Sequence, residues 1–295
     1  MSMDTKNRNI LSVSLVLTLL ISSAFIVMNV DDSSGATVVR DDLVFTTNDS
    51  LHTASVAPVN KNIVIADIPA TFIHNDSVYL VTSIGANAFL DCVSLSVLII
   101  PEGIVSTGSN AFKGCISLIS VTLPSSLKTI GTSSFAGCTS LTSAVISDGI
   151  EVLGNSMFNG CSSLLEVTLP LTLVSIGTYV FYGCSSLLSI EIPYGTESIG
   201  NYALGGCSSL LSIDIPSTVH TIGQCAFHSC IGLNELVIPS LVTELNLNIV
   251  NVCTLTLYVL DHIVLTGTRP VNVMVSVCIV LIFMSCPSEG DVLIP

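Results

Sequence analysis

The chain has 295 residues, half of them apolar and only 9% charged, with a formal net charge of −14. It is too apolar for a disordered chain, too evenly patterned for a multi-span membrane protein, and long enough for one or two domains with a sizeable core. Only seven residues are Lys or Arg, and between residues 84 and 245 only Lys113 and Lys128 are basic, so the clustered cations that phosphate neutralisation needs are missing and a nucleic-acid partner is excluded.

The amino terminus has the pattern of an export signal. Lys6 and Arg8 form a basic start, Ile10 to Val30 carries no charge, and Asp31 and Asp32 follow. A secretory core usually runs about 7–15 residues and a spanning helix needs about 20; this stretch is closer to the second. Residues 1–35 are therefore expected to be a signal peptide or an amino-terminal membrane anchor. The alternative is a buried core helix. Both targeting readings keep the basic flank inside and send the rest of the chain outward.

Residues 36–83 read as an amino-terminal capping region. "IVIADIP" ends in Ile68-Pro69, as the later strands do. Sixteen residues separate Pro69 from Gly85, whereas seven separate Pro101 from Gly108. The extra nine, around "TFIHNDSVYLV", are expected to form a β-hairpin turning at Asn75-Asp76. Such a hairpin covers the open end of a stacked core. Asn48-Asp49-Ser50 and Asn75-Asp76-Ser77 fit glycosylation sequons, with plain turn residues as the other reading.

From residue 84 to 245 one unit returns every 23 residues. Cysteines stand at 92, 115, 138, 161, 184, 207 and 230, and glycines at 85, 108, 131, 154, 177, 200 and 223. Phenylalanine holds 89, 112, 135, 158, 181 and 227, with Leu204 in the gap. Proline holds 101, 124, 170, 193, 216 and 239, with Ser147 in the gap. Seven units in one register without an insertion are the signature of a solenoid. Within a unit, Ile190 and Ile192 alternate with Ser189 and Glu191, which predicts a short half-buried strand. Proline ends it by removing a ladder donor. A turn leads to a second apolar step at Ile199, and a tight helical or 3-10 arc then carries the Phe and Cys positions inward. One coil buries too little apolar surface to offset the ordering of its backbone, so the coils fold as a stack.

Stacking places the seven cysteines in a column, about 4.8 Å apart if coils stack as strands do. That spacing allows disulfides, but stacked Cβ vectors run parallel rather than facing. Reduced, buried thiols are the expectation. After Pro239 the pattern decays, and residues 246–295 are expected to form a degenerate terminal coil, a strand cap or a tail. "VNVMVSVCIVLIFMSC", residues 271–286, is short for a membrane span and rich in Val and Ile, as strands are.

The motif Ile-Gly-x-x-x-Phe-x-x-Cys-x-x-Leu-x-x-Ile-x-Ile-Pro, as at 176–193, resembles the BspA-like, or treponemal-type, leucine-rich repeats. The resemblance covers about residues 60–245. It implies a mainly β, right-handed repeat solenoid with one short strand per coil. It also implies an exported, surface-exposed protein acting in adhesion to host proteins or other cells, with no enzyme activity and no catalytic residues to carry over.

The residues themselves point the same way on chemistry. There is no Gly-x-Ser-x-Gly, glycine-rich phosphate loop or His-Glu-x-x-His. The one local cluster is "CAFHSC", where Cys230 belongs to the buried column while Cys225 and His228 are expected to face outward. Zinc needs four convergent ligands, so no metal, cofactor or catalytic site is expected. Function then falls to a surface. The outward strand positions form two columns. One holds Ile99, Thr122, Val145, Thr168, Glu191, Asp214 and Val237; its neighbour includes Glu166 and Glu235. This ribbon is the candidate protein-binding face, apolar at its amino end and acidic toward its carboxyl end, where a basic protein patch fits. The expected partners are extracellular or host proteins, or other cell surfaces, with membrane contact only through the amino-terminal segment. A passive envelope component with no specific partner is the alternative.

Overall fold

The computed structural model describes residues 36–242 and, beyond them, the strand segments Ile26–Met28, Glu244–Asn246, Thr256–Val259, Val264–Thr266, Val273–Ser276 and Ile279–Phe283. Every element among the described residues is a β-strand, and the chain winds as a solenoid whose coils have three sides.

The first side is the expected strand ribbon. Ser120–Leu123, Ser143–Ile146 and Glu166–Thr168 pair in parallel with Ser120 opposite Ser143 and Ser143 opposite Glu166. Alternation sets the faces: Val121 and Leu123 are buried, Ser120 and Thr122 exposed. The second side is a narrower parallel ribbon of two-residue strands at the apolar step, Ser106–Thr107, Thr129–Ile130, Val152–Leu153, Ser175–Ile176, Ser198–Ile199 and Thr221–Ile222. The coils thus carry a second strand beside the one that the resemblance implied.

The third side is the arc, and here the expected helical or 3-10 stretch is a chain of turns. The amides of Leu90, Cys92 and Leu95 donate to carbonyls three residues back, as in a 3-10 turn. No helix propagates, because Asn87 and Asp91 take left-handed φ values of 56°, and residues 23 further on do the same in coil after coil. The backbone freed by these breaks bonds the next coil instead: Asn110, Phe112 and Gly114 donate to Thr132, Ser134 and Ala136, at 2.8 Å each. All three sides therefore carry hydrogen bonds from coil to coil.

The glycine column marks where coils touch most closely. A Cβ built on Gly131 would fall on the backbone of Gly108 and Ser109, so nothing larger fits there. Inside, Phe89, Phe112, Phe135, Phe158 and Phe181 stack with ring centroids 5.0–5.7 Å apart. The seven column cysteines are free and buried, and from Cys115 onward each makes a rung. The thiols of Cys115, Cys138, Cys161, Cys184 and Cys207 donate to the carbonyls of Phe89, Phe112, Phe135, Phe158 and Phe181 in the preceding coil, at 3.2–3.3 Å. Burial pushes the Cys184, Cys207 and Cys230 thiols up, Cys230 to about 12. Cysteine suits the position because it is small, apolar enough to bury and still a weak donor.

At the amino end, Ile65–Asp67 pairs in parallel with Val97–Ile99, Ile65 opposite Val97. That offset is nine residues more than the period, and the nine go into the hairpin of Thr71–His74 with Ser77–Ile84. Its turn residues Asn75 and Asp76 have φ of 50° and 59°, as a two-residue primed turn requires. A meander of Thr37–Arg40, Leu43–Asn48 and Thr53–Pro58 precedes it, and its last strand pairs in parallel with Ser77–Ile84. Asn48 and Asn75 both lie at turns, Asn48 accepting from the Ser50 hydroxyl and the Leu51 amide and Asn75 bonded to His74.

The expected targeting segment lies outside the described residues except for Ile26–Met28, a strand antiparallel to Thr37–Val39. Among the described residues no helix is long and apolar enough to cross a membrane. At the carboxyl end Glu235–Val237 pairs in parallel with Thr256–Tyr258, a step of 21 residues rather than 23. Ile279–Phe283 runs antiparallel to Thr256–Val259 and pairs with Val273–Ser276 as a hairpin.

Candidate protein-binding face

Ile99, Thr122, Val145, Thr168, Glu191, Asp214, Val237, Glu166 and Glu235 are all exposed along the strand ribbon. The cause is the period-two alternation held in register over every coil. At the amino end Asp67, opposite Ile99, continues the first column and Ile65, opposite Val97, the second, both exposed.

The ribbon changes character along its length. Glu191 lies directly opposite Asp214, and between these two coils the ladder shrinks to that single bridge. Like charges directly opposite one another destabilise a strand pair. Glu166 and Glu235 stand one coil to either side, in the neighbouring column. The four carboxylates thus occupy four consecutive coils, with coils about 4.8 Å apart. None of them is in an ion pair among the described residues.

The ribbon also borders a shallow hollow of about 590 Å³. Val145, Thr168 and Glu191 supply one wall, Ser125, Asp148 and Leu171 the other, and Ser147 stands where other coils have proline. Leu171 is 76% exposed, an apolar contact point in a lining that also holds Asp148 and Glu191. The second wall comes from the turn after each strand and was not anticipated. Its signal was in the sequence as a two-coil alternation: Glu102-Gly103, Asp148-Gly149 and Tyr194-Gly195 alternate with Ser125-Ser126, Leu171-Thr172 and Ser217-Thr218.

The alternation has a physical basis. Gly103, Gly149 and Gly195 have φ of 104–117°, outside the range of other residues. Their amides donate to the hydroxyls of Ser126, Thr172 and Thr218 in the next coil, at 2.9–3.1 Å. Each hydroxyl in turn donates to a carbonyl at 2.8 Å: Ile104, Ile150 and Thr196. The acid before the glycine caps the same turn. Glu102 accepts from the Ser125 and Ser126 amides, which hold its carboxyl below the usual range, and Asp148 accepts from the Leu171 amide.

The "CAFHSC" cluster does not converge on a metal. Cys225 is buried at 7% exposure rather than facing outward: it holds the same left-handed position as Tyr202 one coil earlier, and its short side chain lies under that ring, where its thiol bonds the Tyr202 hydroxyl and raises that phenol. His228 is half-buried and packs edge-on against Tyr202. No group of three metal-ligating side chains occurs among the described residues.

A three-sided coil of this period, with a strand ribbon on one side and a Phe–Cys arc on another, defines a leucine-rich repeat solenoid. The sequence matches the family described as BspA type leucine rich repeat region, in six copies, over residues 75–187 and 151–263, and the chain belongs to that family. It is similar to the crystal structure of a leucine rich repeat protein from T. pallidum, with 27% identity and a TM-score of 0.59, covering 64% of this chain and 86% of that one. It also shares its fold with a leucine-rich repeat protein from Eubacterium ventriosum, with 23% identity and a TM-score of 0.58 over 69% of this chain and 51% of the other. A search of the curated proteins finds no match.

Proposed function

We propose that this is an exported surface protein that binds other proteins or cell-surface material through its strand ribbon, without turnover. The observation that carries the reading is the four-coil run of unpaired carboxylates, Glu166, Glu191, Asp214 and Glu235, beside a hollow that offers Val145 and Leu171. Such a surface fits a partner with a basic patch around an apolar side chain. Many shallow contacts along a rigid ribbon add up by multivalency rather than by one deep pocket. Export is supported by Lys6 and Arg8 ahead of the uncharged stretch Ile10 to Val30.

The test is binding of the chain to matrix proteins, mucins and intact cells, beside a variant with Glu166, Glu191, Asp214 and Glu235 changed to Ser. Saturable binding that the variant loses, and that weakens with added salt, is the expected result. Binding that survives in the variant moves the site to another face. No binding to any of them favours the envelope spacer.

A further inference from the structure

The arc carries a second surface unlike the rest of the molecule. Its left-handed position is Asn87, Asn110, Ser133 and Ser156 in the first coils, then Tyr179 and Tyr202, with φ of 59° and 53°. A small polar residue tolerates that conformation; a bulky one there is an outlier, and such outliers gather where side chains bind. The two rings stack, with centroids 4.9 Å apart. Tyr182 stands edge-on to both, at 5.4 and 6.2 Å. Its ring lies where a Cβ on Gly205 would meet it at 2.9 Å, so that glycine makes the room.

Three of the six tyrosines of the chain therefore meet in two adjacent coils. Tyr179 and Tyr182 remain 36% and 37% exposed. One coil earlier, the same two positions hold Ser156 and Asn159. The rings thus end in a step: aromatic on one side, small and polar on the other. Asn155 flanks the step with its carbonyl oxygen tied to the Thr178 amide at 2.9 Å.

Charge narrows the occupant. Although the chain is strongly acidic, there is no Asp, Glu, Lys or Arg from 154 to 165, from 177 to 190 or from 200 to 213. A phosphate-bearing or strongly charged ligand has nothing to pair with there. The available chemistry is phenol rings with hydroxyl and amide groups. A sugar ring has an apolar C–H face that packs on an aromatic and a rim of hydroxyls that both donate and accept, as Asn, Ser and Tyr do. An oligoproline peptide offers backbone carbonyl acceptors only and cannot donate to the hydroxyl and amide oxygens of the step.

We propose that Tyr179, Tyr182 and the step beside them form a binding site for a neutral glycan, separate from the strand ribbon. The probes are multivalent neutral oligosaccharides built on glucose, galactose, mannose or N-acetylglucosamine, displayed on a surface to amplify weak single contacts. Sialylated and sulfated oligosaccharides and a decaproline peptide run beside them. Binding in solution reads directly in tyrosine emission, because the chain has no tryptophan. The variants are Tyr179→Ser and Tyr182→Asn, each installing the residue that the preceding coil carries at that position, so the coil geometry is retained and melting stays close to that of the parent chain.

The expected result is binding of at least one neutral oligosaccharide, lowered about tenfold or more by either substitution. Failure of every neutral oligosaccharide to bind overturns the proposal, as does binding that both variants keep. A preference for sulfated or sialylated probes, or decaproline bound at the tyrosines, overturns the assignment to a neutral glycan.

Discussion

The buried arc and the exposed ribbon run along the same coils and keep the same 23-residue step, yet repetition has opposite effects on them. In the arc, identical residues in register make ladders: ring on ring from Phe89 to Phe181, and thiol to carbonyl from Cys115 to Cys207. On the ribbon, the same register sets the Glu191 carboxylate directly opposite that of Asp214. Stacking in register multiplies whatever a position holds. Apolar and donor–acceptor positions gain from sameness, and charged ones lose. The interior has accordingly converged on one pattern while the outer columns vary from coil to coil.

The comparison can be broken most severely from inside. Phe135→Ala removes a fully buried ring between Phe112 and Phe158. It should lower stability by about 3–5 kcal/mol in urea unfolding. A small loss would mean that the coils next to it unfold separately. The cysteine ladder should also make the protein sensitive to alkali. Cys230 is raised from 9.0 to about 12 in the folded chain, chiefly by burial. Its contribution is complete below pH 9, and is lost as pH rises toward 12, because only the unfolded chain releases the proton in that window. The loss amounts to about 4 kcal/mol over those three units. The urea midpoint of Cys230→Ala should fall less steeply between pH 9 and 11 than that of the parent chain; equal slopes would remove the thiol from the account.

A single rung is worth less. Cys161→Ala deletes the bond to the Phe135 carbonyl and a small packed group, for a cost of about 1–2 kcal/mol at neutral pH. That carbonyl also accepts from the Cys138 amide, so it is not left without a partner. On the ribbon the sign should reverse. Asp214→Thr relieves the Glu191 contact and should stabilise the chain by roughly 0.2–1 kcal/mol, less so in high salt. Thermal melts at two ionic strengths would read it, and destabilisation at low salt would count against repulsion between the two carboxylates.

What the sequence disclosed follows the same division. The buried columns were legible because one residue type recurs at one spacing, and the outward ribbon followed from alternation. The hairpin at Asn75-Asp76 was legible as nine residues in excess of the period. The meander from Thr37 to Pro58 was not: it carries no repeat, and its last strand pairs with Ser77–Ile84 across the intervening first coil. The hollow beside the ribbon was hidden because its second wall is the turn after each strand, where residues alternate over two coils instead of repeating in each. The tyrosine step was hidden because a bulky residue at a left-handed position is visible only once φ is known.

The hydroxyl clasps at Gly103, Gly149 and Gly195 join coils two by two, each glycine reaching forward to Ser126, Thr172 or Thr218. At this turn the repeating unit is therefore the doublet, although the arc joins every coil to the next. Losing or gaining two neighbouring coils leaves this turn intact, since every glycine still meets a hydroxyl. Excising one coil sets two glycines, or two hydroxyl residues, side by side at the splice. Growth by even numbers is built into the turn.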